Sequence, residues 1–565
     1  MSKSNLTGYP SIDKPWLKYY AKEVIAAPLP ECNLYQYIYE NNKKFPKDIA
    51  LSYYGSKMIY SQFFAVTQDV AKALTAFGVK EGDKVTVCMA STPEAVCLIY
   101  ALNLIGAIPN LLDPRYNENG LAYCMEESPS ELLVTIDSSY EKFLNIGRPV
   151  CPEKVVIVSP FLSIPPMLKL LVSLKVKAIK PREGHYTWQE FLKAGKKTDY
   201  CPARYTNNQL AAILHTGGTT GNPKGVMLSN DSINAIAHQY KMLVNPKRGE
   251  TLLDIIPPFA SYGLCASIHM PLSLGVSVEL IPKFEAAAFG DLLLKHKPTY
   301  VMGVPSFWES LMVNPKMEKA DLSWLLSAAC GGDSMSVATE SQLNTFFAEH
   351  NSKAQIDSGY GMSEMSATAC VCYGNAHRPG SVGIPLINTV FKVIDPDTYE
   401  ECAYDTQGEI CISGPGMMLG YLNNEELTAQ TIKKHADGKL WVHTGDIGHI
   451  TPEGYVYHDG RIKRMIVRFD GFKIYPAAVE QVVLKHNAVL NCAVVAFNKT
   501  GVGIMPKAFV SLKDAAADTA SIKKELIAMC KAELAERSVP EDVEFLNELP
   551  LTSIGKVDYR ALEKR

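Results

Sequence analysis

The sequence predicts an α/β protein. A large N-terminal domain of layered, largely parallel sheets with helices and a β-rich subdomain is followed by a small α+β C-terminal domain. Three observations carry this. Short apolar strands alternate with helical patterns through residues 1–350, as parallel strands joined by crossover helices do. From Asn388 to about Asp459 the apolar runs shorten and turn glycines multiply, which marks the β-rich part. Beyond it, strand-like Val489–Phe497, Pro506–Leu512 and Val543–Leu546 with a helical Ser521–Glu536 suffice for a compact unit with its own core. The boundary falls near Lys463, giving domains 1–462 and 463–565.

Within the first domain, Val85–Ala90 reads as a strand and Pro93–Ala107 as an apolar helix that starts with proline after a threonine cap. Glu131–Ile136 and Lys154–Ser159 repeat the strand pattern. Helix Asn230–Leu243, strand Leu252–Ile256, helix Leu264–Leu274, strand Val278–Ile281 and helix Ala286–Lys297 follow.

One stretch stands apart chemically. Leu214-His-Thr-Gly-Gly-Thr-Thr-Gly-Asn-Pro-Lys-Gly225 holds four glycines, three threonines and a lysine. It follows the buried-strand run Leu210–Leu214, so it sits at a strand's carboxyl end, where α/β sheets place ligands. Glycines let the backbone approach an anion, the hydroxyls donate hydrogen bonds, and Lys224 adds a point charge. That combination suits a polyphosphate. It is not a Walker loop, because Pro223 precedes Lys224 and Gly225 follows it.

Composition narrows the classes. With 565 residues, 47% of them hydrophobic, the chain can form one large body with a smaller appendage. A net charge of −3 gives no field favouring nucleic acid, so no nucleic-acid partner is expected. Of the fourteen scattered cysteines only Cys370 and Cys372 are close in sequence, which is poor evidence for zinc. No signal peptide is evident at Met1, so reduced thiols and a cytoplasmic location are expected. No apolar run approaches the ~20 residues a membrane helix needs.

Three more motifs follow the phosphate loop in order: Asp357-Ser-Gly-Tyr-Gly-Met-Ser-Glu364, His443-Thr-Gly-Asp446 with Arg461, and Pro550-Leu-Thr-Ser-Ile-Gly-Lys556. Together the four resemble the adenylate-forming superfamily: acyl-CoA synthetases, adenylation domains of peptide synthetases and firefly luciferase. The resemblance covers nearly the whole chain. It implies that the C-terminal domain is mobile, and that the substrates and cofactors are ATP, Mg2+, CoA and a carboxylic acid.

The implied chemistry explains the residue types. A carboxylate cannot expel oxide at neutral pH. Transfer to the α-phosphate of ATP turns that oxygen into part of AMP, which a thiol then displaces. The first step brings two anions together, so catalysis is mostly positioning and charge cancellation. By the resemblance, Thr216, Gly217, Gly218, Thr219, Thr220, Gly221 and Lys224 hold the β- and γ-phosphates. Glu364 is a Mg2+ ligand, a role that suits a hard cation. Ser363, standing where relatives have threonine, donates to the α-phosphate. Tyr360 stacks on adenine, with Gly331, Gly332, Asp357, Ser358, Gly359 and Gly361 around the ring. Asp446 and Arg461 bind the ribose. Lys556 reaches the reacting oxygens from the C-terminal domain, Lys463 is the hinge, and Gly471 lines the thiol's tunnel.

The stretch Ile256-Pro-Pro-Phe-Ala-Ser-Tyr-Gly263 matches an aromatic motif at the carboxylate entrance. Ala260 stands where many acyl-CoA synthetases have histidine and amino-acid-activating relatives have aspartate. Without a counter-charge for a buried ammonium, α-amino acids are disfavoured. Phe259, Tyr262, Met302, Val304, Phe307 and Met362 are expected to wall a pocket for a hydrophobic acid, fatty or aryl. Asp470 lies in a loop that is often basic or neutral in relatives, and the sequence offers no reason for it. The rival readings are a ligase that loads a carrier protein's phosphopantetheine and a nucleotide-binding homologue without catalysis. Finally, residues 160–177 mix bulky apolar side chains with lysines and no acids. They suit weak contact with a membrane surface, a guard over a lipophilic entrance, or an excursion packed on its own domain.

Overall fold

The computed structural model describes residues 6–174, 179–216, 223–470, 472–514, 516–550 and 557–565. Two large sheets organise the N-terminal domain. In the first, strands Ile49–Tyr53, Ser277–Leu280, Thr251–Asp254, Tyr300–Gly303, Ser327–Cys330 and Ile356–Tyr360 lie parallel in that spatial order, with antiparallel strands at both edges. In the second, His185–Thr187, Lys154–Val158, Leu132–Ile136, Lys84–Cys88, Ile108–Leu111 and Leu210–Thr216 form the parallel series. The predicted α/β class and the alternation behind it are those observed.

Helix Pro93–Leu104 is buried at every residue, as its all-round apolar sequence requires. Thr92 caps it by accepting a hydrogen bond from the Ala95 amide at 3.2 Å, a contact worth about 1 kcal/mol. One continuous core joins this helix to side chains of both sheets, among them Leu51 and Val278 from the first and Val85 and Leu214 from the second. The expected β-rich subdomain is an antiparallel sheet of Val390–Ile394, Gly408–Ser413, Leu440–Ile450, Ile432–Lys434 and Val456–Arg461.

The C-terminal domain has its own core, formed from residues between Ile466 and Val543. Strands Val489–Lys499 and Gly503–Leu512 pair antiparallel, Asp542–Phe545 adds a parallel strand, and helices Pro476–Val483 and Thr519–Glu533 complete it. Lys463 lies in the short turn Ile462–Arg464, directly after the last strand of the β-rich sheet.

Two local readings need correction. Between the phosphate-loop strand and helix Asn230–Leu243 lies a strand that was not expected: Leu210–Thr216 pairs antiparallel with Lys224–Ser229. The run Val226-Met-Leu228 was too short to announce a strand beside the stronger helical pattern after it. The helix expected at Leu264–Leu274 begins earlier and is π-helical over Tyr262–His269, then α-helical over Met270–Leu274. A Cβ on Gly263 would lie 2.0 Å from the Pro257 carbonyl oxygen, so only glycine lets this first turn rest on the backbone before it. Such wide turns recur where a helix must present side chains to a site.

Candidate active site

Four chain segments converge on one cleft. Thr216 and Lys224 are paired across the base of the hairpin. The Lys224 ammonium lies 5.5 Å above the Tyr421 ring, and the Tyr421 hydroxyl donates to Glu364 Oε1 at 2.5 Å. Burial, reinforced by the Glu364 charge, pushes the Tyr421 phenol up, so it stays a proton donor. Tyr421 therefore joins the hairpin lysine to the acidic end of the Asp357–Glu364 motif. Among the residues placed on the triphosphate, Gly217, Gly218, Thr219, Thr220 and Gly221 lie outside the described residues, as do Gly471 and Lys556.

The residues expected at the ribose meet across two strands, with Asp446 the register partner of Arg461. Asp446 is 1% exposed. Its Oδ2 accepts from the Tyr360 hydroxyl at 2.6 Å, and Arg461 Nε stands 2.8 Å from Oδ1. That second approach is an ion pair without hydrogen-bond alignment, so Oδ1 remains a buried acceptor with no aligned donor. An unfilled carboxylate lone pair is costly to bury, and vicinal hydroxyls of a sugar are donors that suit it. Burial and the adjacent Asp446 push the Tyr360 phenol well up. His458 lies beside the Tyr360 ring, with centroids 5.6 Å apart and a tilt of 31°.

The Asp357–Glu364 motif divides between a strand and the short turn after it. Tyr360, Ser363 and Glu364 reach the cleft. Asp357 does not: its side chain points the other way, where Ser327 Oγ donates to Oδ2 at 2.8 Å and burial pushes the carboxyl up to about 7. Ser358 is half-buried on the next position of the strand. Gly361 is required sterically, because a Cβ would meet the Ala367 carbonyl oxygen at 1.7 Å. Gly331 and Gly359 lie against each other: a Cβ on Gly331 would stand 3.5 Å from the Gly359 carbonyl oxygen and 3.8 Å from the Tyr262 hydroxyl. Gly332 takes φ +80° and faces Val304.

The aromatic entrance motif is tied to the same cleft through Ser261, whose hydroxyl pairs with that of Ser363 at 2.9 Å. Ala260 is half-buried beside it, leaving no acid or imidazole at that position. The expected pocket walls separate into groups. Phe259 is covered by the Arg115 guanidinium at 5.4 Å, itself held by Asp113. Phe307 is drawn into an aromatic group with Phe284, 4.5 Å away, and Phe289. Met362 packs against the core of the β-rich sheet instead of the pocket. Met302 lines a cavity with roughly 500 Å3 of unfilled space, open mouth included, whose walls include Tyr240, Leu252, Val276, Ala329 and Val371.

The family model for the AMP-binding enzyme matches residues 38–422, and the model for the AMP-binding enzyme C-terminal domain matches residues 478–556. The chain belongs to the AMP-binding enzyme family. It is an adenylate-forming enzyme of the acyl-CoA synthetase-like group. A long-chain-fatty-acid–CoA ligase of Bacillus subtilis (strain 168) is 31% identical over 561 residues, 97% of each chain. A probable 4-coumarate–CoA ligase of Dictyostelium discoideum is 32% identical over 505 residues, 88% of each. The crystal structure of an anthranilate CoA ligase in complex with anthranoyl-AMP superposes with a TM-score of 0.81, covering 95% of this chain and 98% of that one. At 21% identity that likeness speaks for the fold alone.

Sequence reasoning missed four participants of this AMP-binding enzyme's cleft: Tyr421, His458, Ser261 and Arg115. Ser261 was within reach, since it lies inside the aromatic motif. Tyr421 and His458 belong to no motif, and only the pairing of distant strands brings them in. Asp470 also finds its reason in three dimensions, standing 3.7 Å from both Arg468 Nε and Arg537 Nε. Its charge offsets two guanidiniums of the C-terminal domain.

Proposed function

We propose that this enzyme activates a hydrophobic carboxylic acid with ATP through an acyl-adenylate, and then transfers the acyl group to the thiol of CoA, releasing pyrophosphate and AMP. The observation that carries the reading is the apolar cavity at Met302, Ala329 and Val371, on the same sheet as the Tyr360 strand. The one acid among its walls is Asp357, whose carboxyl is pushed by burial up to about 7, so that it is about half protonated at neutral pH. A charged acyl tail would be desolvated there without a partner, whereas an alkyl or aryl tail loses nothing. The names of the fatty-acid and 4-coumarate relatives agree with that class.

In this reading Asp446 and Arg461 hold the ribose, Tyr360 flanks the adenine, and Lys224 draws the departing pyrophosphate. Ser363, positioned by Ser261, donates to the α-phosphate. The Glu364 carboxylate suits Mg2+, which when bound would cancel part of the phosphate charge. Lys556 reaches the reacting oxygens from the C-terminal domain. Rotation about Lys463 then withdraws it and brings the loop at Gly471 to the adenylate.

Release of pyrophosphate across a panel of acids, with CoA or a holo carrier protein as acceptor, tests the reading. Turnover is expected with fatty or aryl acids and CoA. Preference for short charged acids would overturn the substrate class, and thioester formed only on the carrier would overturn the acceptor. Gly471→Trp is expected to cut CoA thioester formation by at least about a hundredfold while acid-dependent pyrophosphate exchange stays within a few-fold, because an indole would fill the thiol's path. Parallel loss of both activities would contradict the tunnel role.

A further inference from the structure

The helix Pro166–Ser173 has no buried residue. Met167, Leu170, Leu171 and Leu174 recur at i, i+3, i+4 and i+7, the spacing that normally faces a core, yet they are 76%, 66%, 57% and 78% exposed. The stripe therefore points outward. Its root is fixed: Ser163 donates to the buried Glu94 at 2.6 Å, Ile164 is buried, and the Tyr53 hydroxyl bonds the Pro160 carbonyl at 2.7 Å. Exposed Tyr54, at the tip of the neighbouring hairpin, stacks edge-on against Tyr53. The apolar face is thus held out by a rigid stem.

Charge says what covers it. From Lys169 to Arg182 the sequence carries Lys169, Lys175, Lys177, Lys180 and Arg182, with no aspartate or glutamate. The chain as a whole is acidic at −3, so the sequence carries a local excess of cations within and just after the apolar stripe. A second protein copy with the same cationic rim would be repelled, whereas an anionic bilayer offers both an apolar interior and opposite charge. We propose that this helix is a peripheral docking element for anionic membrane surfaces, inserting Met167, Leu170, Leu171 and Leu174 at headgroup depth. Among the described residues no helix is long and apolar enough to cross a membrane, so the contact is interfacial. The inference is independent of which acid the enzyme activates.

Flotation of the full chain with phosphatidylcholine vesicles, with and without phosphatidylglycerol, tests it. The expected result is co-flotation with the phosphatidylglycerol vesicles, falling steeply with salt. The quadruple replacement of Met167, Leu170, Leu171 and Leu174 by Gln should reduce the bound fraction at least about tenfold and leave pyrophosphate exchange unchanged, since none of these side chains reaches the cleft. Lys169→Glu with Lys180→Glu, which keeps the apolar stripe, should weaken binding to the anionic vesicles alone. Absence of binding by the wild type, equal binding by the quadruple variant, or self-association of the wild type that the quadruple variant abolishes would each overturn the proposal.

Discussion

Replacing Lys556 by alanine is expected to lower acyl-adenylate formation by about a thousandfold or more, while thioester formation from a supplied acyl-adenylate stays within a few-fold of wild type. The asymmetry follows from when charge appears. In the first half-reaction a carboxylate attacks a phosphate, and negative charge accumulates on oxygens that a preorganised ammonium stabilises where water is scarce. In the proposed second half-reaction a thiol displaces AMP after the C-terminal domain turns and withdraws that lysine. Single-turnover measurement of each half-reaction separates the two roles. Equal loss in both would make Lys556 a structural residue instead.

Asp446→Ala is expected to reduce kcat/KM for ATP by about a hundredfold to a thousandfold, mostly through KM. Two charge-assisted hydrogen bonds from the ribose, each worth roughly 1.5–3 kcal/mol, account for that size. The substitution also strips Tyr360 of its acceptor at 2.6 Å and Arg461 of its counter-ion at 2.8 Å. Part of the loss is therefore positional, and Asp446→Asn should recover part of it by keeping an acceptor oxygen for Tyr360. Pyrophosphate exchange with ATP and with 2′-deoxy-ATP checks the assignment. Wild type should discriminate against the deoxy nucleotide, and the alanine variant should not. Undiminished discrimination would place the ribose elsewhere.

What the sequence made legible, and what it did not, has physical reasons. Motifs confined to one strand pair or turn could be placed directly: Thr216 opposite Lys224, Ser363 and Glu364 after the strand, and Asp446 opposite Arg461. Period-2 alternation, read strictly, would have excluded Asp357 from the cleft, since it does not share Tyr360's face of the strand, whereas Met362 lies past the strand's end and only its packing removes it. The π-helix was hidden because apolar periodicity encodes neither the width of its turns nor the close approach of Gly263 to Pro257. Tyr421 and His458 were hidden because each meets a partner far away in sequence, Glu364 and Tyr360 respectively. The outward stripe of Pro166–Ser173 was visible as composition, but only its exposure separates a docking face from a packed excursion.

The central claim is that one cleft, assembled by Lys224, Tyr360, Glu364, Asp446 and Arg461, forms an enzyme-bound acyl-adenylate before any thiol takes part. Exchange of labelled pyrophosphate into ATP, measured with a fatty or aryl acid and no CoA, tests it most directly. The expected result is exchange that depends on the acid and proceeds without the thiol. Exchange that requires CoA, or that runs equally well with no acid present, would contradict it.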